Sequence, residues 1–150
     1  MKKGFTLVEA LVLVIIMGLM VAMAVPLINN EQLRFSGVMN NLVMLVKDAK
    51  QNAITKGEWY GFMYETRNDS CIAYFFEDAN RNRTYDAGET KVERYLKGVT
   101  FSTSISEPII FFPDGTVSEA LDLVVESQTY EGEIWVLLSG FINYEVRRKS

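Results

Sequence analysis

The 150-residue chain contains no histidine and a single cysteine, Cys71. Without imidazole, the commonest general base and metal ligand is missing. A lone cysteine forms neither an intrachain disulfide nor a cysteine-rich zinc centre. No Gly-x-Ser-x-Gly elbow and no phosphate-cradling glycine loop occur in the sequence, so no catalytic constellation is supplied and the chain is expected not to be an enzyme. Cys71 falls in an apolar, strand-like run, where it reads as a small buried hydrophobe rather than a nucleophile. Positive charge is in deficit as well: 15 Lys and Arg against 19 Asp and Glu leave a net charge of −4. The chain as a whole therefore has no general attraction for polyanions.

What is present is unevenly distributed. In the first 28 residues the only charges are Lys2, Lys3 and Glu9. The apolar stretch from Phe5 to Ile28 would span ~36 Å as a helix, long enough to cross a bilayer. Lys2 and Lys3 before it hold the N-terminus cytoplasmic and send the remainder outward. Glu9 breaks the run, and a carboxylate in hydrocarbon costs about 2.5 to 3.5 kcal/mol even on the gentler insertion scale, so a partner is expected for it. Ala22-Met23-Ala24 also offers an A-x-A-like site, the mark of an ordinary secretory signal that would leave a mature chain starting at Val25. An ordinary signal has no reason to contain Glu9, and the helical pattern continues past Pro26.

Gly4-Phe5-Thr6-Leu7-Val8-Glu9, behind a basic leader, resembles the class III signal of type IV pilins and type II secretion pseudopilins. The resemblance implies cleavage between Gly4 and Phe5 by a prepilin peptidase, methylation of the new N-terminus, and insertion in the inner membrane with a periplasmic head. It also implies assembly with other pilin or pseudopilin subunits into a filament. Loss of Lys2 and Lys3 would take the net charge from −4 to about −6. The new α-amine could pair with Glu9 of a neighbouring subunit in a low-dielectric setting. Gly18 and Pro26 match positions where the family's helix is weak. Glycine lowers helix propensity and proline removes a backbone hydrogen bond, so local melting is expected there on assembly.

Beyond the polar Asn29-Asn30-Glu31-Gln32, apolar residues return at Leu33, Phe35, Val38, Leu42, Leu45, Val46, Ala49, Ala53 and Ile54. Their steps of three and four predict an amphipathic helix with Lys47, Asp48, Lys50, Gln51 and Lys56 on the other face and Gly57 as its stop. After Gly57 the period becomes two. Trp59–Tyr64 and Ile72–Phe76 read as a hairpin around Arg67-Asn68-Asp69-Ser70. Further strands are expected at Val92–Leu96, Val99–Ile105, Pro108–Phe112, Leu121–Glu126, Glu133–Leu138 and Ile142–Arg147, with a turn at Pro113-Asp114-Gly115.

The expected fold is α+β: one long N-terminal helix, its first half transmembrane and its second amphipathic, packed on an antiparallel β-sheet head. Its divisions are leader 1–4, membrane or filament-core helix 5–28, amphipathic half 29–57 and head 58–150. The end of the helix and the Phe-Phe-Pro-Asp-Gly-Thr segment are similar to the FimT/GspH branch of the pilin-like superfamily. A minor pilin or pseudopilin is the implied role, and a DNA-binding minor pilin for DNA uptake the alternative.

Two head segments carry candidate sites. Asp78, Asn80, Asn82, Thr84, Asp86 and Glu89 place side-chain oxygens with the spacing of an EF-type Ca²⁺ loop, although Arg83 stands where the sharp-turn glycine belongs and no second helix follows. Asx turns alone would also account for the composition. Apart from this Ca²⁺, no cofactor is expected. Arg147, Arg148 and Lys149 close the chain with three consecutive cations that could contact DNA phosphates, or simply keep the last strand soluble.

Overall fold

The structure, a computed structural model, describes residues 7–24, 30–67 and 70–149. Gly4, Phe5 and Pro26 lie outside the described residues, as do Asn68 and Asp69 of the expected hairpin turn. The chain divides into two compact units, Met1–Leu33 and Arg34–Ser150.

In the first unit, helix α1 runs through Leu7–Ala24, 18 residues, unbroken at Gly18. At ~1.5 Å per residue this is ~27 Å, a little short of a ~30 Å hydrocarbon core. No helix among the described residues is long and apolar enough to cross a membrane. Helix α2 is Asn30–Lys56, with Glu31 in its first turn and Lys56 in its last, each matched in sign to the helix dipole. Gly57, at φ 72°, ends it by donating its N–H to Ala53 O at 3.0 Å, a left-handed cap that a side chain would strain.

Eight strands follow: β1 Tyr60–Arg67, β2 Ser70–Glu77, β3 Lys91–Leu96, β4 Thr100–Phe101, β5 Ile109–Phe111, β6 Leu121–Glu126, β7 Tyr130–Val136 and β8 Ile142–Arg148. They form two antiparallel four-stranded sheets, ordered β3-β2-β1-β5 and β4-β6-β7-β8. One buried cluster joins α2 to both sheets. From the helix come Phe35, Met39, Leu42, Val43, Val46, Ala49 and Ala53; from the first sheet Tyr60, Phe62, Phe75 and Phe111; from the second Leu123, Val125, Ile134 and Val136.

Close approach of helix to sheet is secured at two points. The rings of Phe35 and Tyr130 stack with centroids 5.9 Å apart. At Gly132 a Cβ would stand 2.5 Å from Met39 Sδ, so the thioether occupies the space that β7 leaves open. A second glycine acts within a sheet: Gly61 faces Phe76 across β1 and β2, and a Cβ there would overlap the Phe76 ring.

Four expectations require correction. The strand expected over Val99–Ile105 pairs only at Thr100–Phe101. There the Thr103 hydroxyl accepts the Val124 N–H at 3.1 Å, taking the place of a backbone carbonyl and ending the ladder. The strand expected to reach Leu138 stops at Val136, because Gly140, at φ 73°, donates to Leu137 O and closes a turn. Leu33 and Ile54, expected on the packed face of α2, are exposed. Lys50, expected on the solvated face, is half-buried and donates from Nζ to Gly140 O at 2.8 Å, tying α2 to the β7–β8 turn.

The helix face yields a contrast to measure. Leu42 is fully buried and Leu33 is 62% exposed. Leu42→Ala is expected to cost about 2–5 kcal/mol in urea unfolding, and Leu33→Ala less than about 0.5 kcal/mol.

Candidate functional site

Three groups of sequence-predicted residues fall in three separate places. The first is α1, where every residue from Leu7 to Met20 is exposed, Glu9 included. Leu7, Val14 and Met20 are more than 60% exposed. A helix apolar around its whole circumference buries its side chains in lipid or against other helices, and Glu9 is the one ionisable group along its described side chains.

The second is the β2–β3 connection. Asp78 is the one buried polar or charged residue among the described residues. Its Oδ1 accepts the Asn82 N–H and its Oδ2 the Arg83 N–H, both at 3.0 Å. Those bonds hold Arg81 and Arg83 in left-handed conformations, at φ 60° and 62°. Downstream, Asn80 Nδ2 and Asn82 Nδ2 both donate to Asp86 Oδ2, at 2.6 and 2.7 Å. Thr84 donates from its backbone N and its hydroxyl to Asn82 Oδ1, each at 2.8 Å. Glu89 accepts the Ala79 N–H at 3.1 Å and the Asp86 N–H at 3.0 Å, which joins the two ends of the loop. Tyr85 then packs edge-on against Phe76 with centroids 5.7 Å apart, and Lys91 lies over the rings of Tyr85 and Tyr74.

All six residues singled out in the sequence thus meet in one hydrogen-bonded loop. Among the described residues no three His, Cys, Asp or Glu side chains gather into a group able to hold a metal ion. The donor set is nonetheless purely oxygen, the chemistry of a hard cation such as Ca²⁺. In the structure Asp86 Oδ2 is engaged by two amide N–H groups.

The third group is the C-terminal cations, and here the structure changes the reading. Arg147 is bonded to Glu131 on the neighbouring strand, and Lys149 to Glu126. Glu126 is held below the usual carboxylate range by its bonds from Lys149 and the Ser102 hydroxyl, and Glu131 holds the Arg147 guanidinium above its ordinary value. Two of the three cations are therefore engaged within the head. Sequence reasoning misses Glu126 and Glu131; the signal that finds Glu131 is the β7–β8 register, which sets it opposite Arg147.

Cys71 is buried, its Sγ donating to Val99 O at 3.2 Å. The aromatic residues after Gly57 serve packing, Trp59 against Phe112 and Tyr64 against Phe101.

Asp78 tests the loop. Asp78→Ala leaves the Arg83 N–H without its acceptor and the Asn82 N–H with Asn80 Oδ1 alone, and is expected to cost about 1–3 kcal/mol in urea unfolding with a chelator present.

Comparison with known proteins gives the geometry its setting. No family model matches the chain. It is 31% identical over 88 residues to the pilin-like protein PilA1 of Thermus thermophilus, a match that takes in 59% of this chain and 56% of that protein. The matched stretch is thus little more than half of the relative's length. The type IV minor pilin FimU of Pseudomonas aeruginosa superposes with a TM-score of 0.56 at 9% identity, covering 73% of this chain and 91% of that one. The minor pseudopilin EpsH, from the type 2 secretion system of Vibrio cholerae, does so with a TM-score of 0.53 at 13% identity, covering 71% and 91%. With a helix laid on two antiparallel sheets and these likenesses beside it, the chain has the type IV pilin-like fold.

Proposed function

We propose that the chain is a minor pilin or pseudopilin, a structural subunit that enters, or primes assembly of, a type IV pilus or a type II secretion pseudopilus. The observation that carries this reading is α1, a helix exposing apolar side chains on all sides with one carboxylate, Glu9, among them. Such a surface is stable only against hydrocarbon or other apolar helices.

In this reading the N-terminus is cytoplasmic, the N-terminal helix sits in the inner membrane, and the head is periplasmic. Prepilin peptidase cuts between Gly4 and Phe5, and Phe5 is N-methylated. The new amine neutralises Glu9 of an adjoining subunit and sets the stagger between them. Gly18 and Pro26 supply the weak points at which the helix adjusts in the filament. The relatives named above support this role by fold, and the leader Gly4-Phe5 supports it by sequence.

Co-expression with a prepilin peptidase provides the test. N-terminal sequencing is expected to read from Phe5, and Glu9→Ala is expected to be cut normally yet fail to enter filaments. A mature chain starting at Val25, or a Glu9→Ala variant that assembles like the parent, would end this reading.

The Asp78–Glu89 loop serves in the same reading as a Ca²⁺ site that stiffens the head. To admit a cation, the Asn80 and Asn82 amides would have to give up their bonds to Asp86 Oδ2, and Asn80 Oδ1 and Asn82 Oδ1 the N–H and hydroxyl donors they now accept, so Ca²⁺ binding would rearrange the loop. Calorimetric titration with Ca²⁺ is expected to release heat and to raise the melting temperature, and Asp86→Ala to abolish both. Absence of both in the parent chain removes the metal. The DNA-uptake alternative would draw on Arg148 and on Arg147 and Lys149, which now pair with Glu131 and Glu126 and would have to exchange those carboxylates for phosphates.

A further inference from the structure

Each sheet ends in two edge strands, and they are not equivalent. β4 and β5 are two and three residues long. β3 and β8 are longer, with six and seven residues. β8 contains no proline and pairs on one side only, with β7. A long free edge offers a row of N–H and C=O groups to a further strand.

The ladder shows which groups are on offer. Lys149 donates to Thr129 O at 2.8 Å, and Leu137 donates to Phe141 O at 2.9 Å. With the register of β7 and β8, these bonds turn the odd-numbered residues of β8 toward β7. The N–H and C=O of Ile142, Tyr144, Val146 and Arg148 therefore point outward.

We infer that β8 is a homodimerisation edge: two copies of this chain join antiparallel through their β8 strands, Val146 opposite the partner's Val146, into one continuous eight-stranded sheet. The partner is argued from charge and hydrogen-bond parity together. An outward-pointing residue must face an outward-pointing residue, which excludes half of all registers. Of the symmetric registers that remain, centring on Glu145 sets two glutamates face to face, centring on Arg147 or Arg148 sets two arginines face to face, and centring on Tyr144 sets Asn143 against Glu145 and forms no ion pair.

Centring on Val146 does the opposite. It places Glu145 opposite the partner's Arg147 twice over, Tyr144 opposite the partner's Arg148, where a guanidinium can lie on the ring, and Asn143 opposite the partner's Lys149. Three residue pairs exchange two backbone hydrogen bonds each. The arrangement also answers a like-charge contact in the single chain, where Glu145 lies directly across from Glu133 on β7. The partner's Arg147 would approach Glu145 from the side away from β7. Tyr144, 42% exposed, and Val146, packed at the margin of the core, would gain cover from the added strand. The contact is isologous, as a closed two-fold dimer requires. It goes beyond the filament reading and does not depend on it.

The test uses the full chain in detergent micelles, followed by sedimentation equilibrium. The parent is expected to show a concentration-dependent monomer–dimer equilibrium. E145R sets arginine against the partner's Arg147, and R147E sets glutamate against the partner's Glu145, so each variant alone is expected to associate at least roughly tenfold more weakly. An equimolar mixture of the two restores both opposite-charge pairs and is expected to recover dimers, because the arginine introduced by E145R then faces the glutamate introduced by R147E. Mixing leaves every contact within each chain unchanged, so recovery separates pairing from folding. A parent that stays monomeric to about 100 μM overturns the proposal. So does a dimer that both variants leave intact, or a mixture that remains monomeric.

Discussion

The architecture depends on how closely α2 can lie on β7. Two sheets share one buried cluster only because a single helix covers both, and that helix is drawn in where β7 has no side chain. Gly132 leaves room for the Met39 thioether, and the Phe35–Tyr130 stack guides the helix at its N-terminal side. Further along, Ala49 and Ala53 carry only methyl groups at full burial, so the helix keeps its close approach toward its C-terminal end. Interiors packed at crystal-like density do not slide freely. A one-turn shift of α2 would bring bulk onto Gly132 and leave a void under Met39. The Lys50 bond to Gly140 adds a polar fastening at the same helix end, where a Cβ on Gly140 would run into Gly115 O.

Periodicity reveals most of this frame. The three-and-four spacing from Phe35 to Ala53 identifies α2 and most of its buried face, and the aromatic period of two after Gly57 identifies the first hairpin. β6 is delimited to the residue at Leu121–Glu126, since its alternation is clean and both ends meet turn-forming sequence. What periodicity does not reveal is competition from side chains. Thr103 looks like a good strand residue, and it ends a strand because its hydroxyl takes a ladder donor. Lys50 looks like a solvated cation, yet its long apolar stem lets its ammonium reach a carbonyl ninety residues away in sequence. Leu33 and Ile54 fit the helical spacing and are exposed all the same, because that spacing marks a wider stripe of α2 than the one that is buried.

The two head sites differ in how far sequence can take them. In the Asp78–Glu89 loop the chemistry is local, so spacing alone brings together six residues that do meet. Short Asx side chains reach backbone N–H groups two to five residues on, and such contacts are written in the order of the residues. The C-terminal cations are the reverse case. Their three consecutive charges suggest a phosphate-binding tail, but Arg147 is engaged by a residue sixteen positions earlier and Lys149 by one twenty-three positions earlier. Cross-strand register, rather than composition, decides what a charged strand presents to its surroundings.

The contrast between the two compact units bears on what the chain is for. The unit from Arg34 onward satisfies itself: among its described residues no buried side-chain N or O atom lacks a hydrogen-bond partner, and its aromatic residues pack against one another. Helix α1 does the opposite, with every described side chain exposed and all but Glu9 uncharged. An apolar surface of that extent is not tolerated in water by a monomer. One carboxylate in such a helix is costly in hydrocarbon and inexpensive beside a cation. In the filament reading proposed above, a subunit whose head is complete and whose helix is not would derive the energy of assembly from the helix.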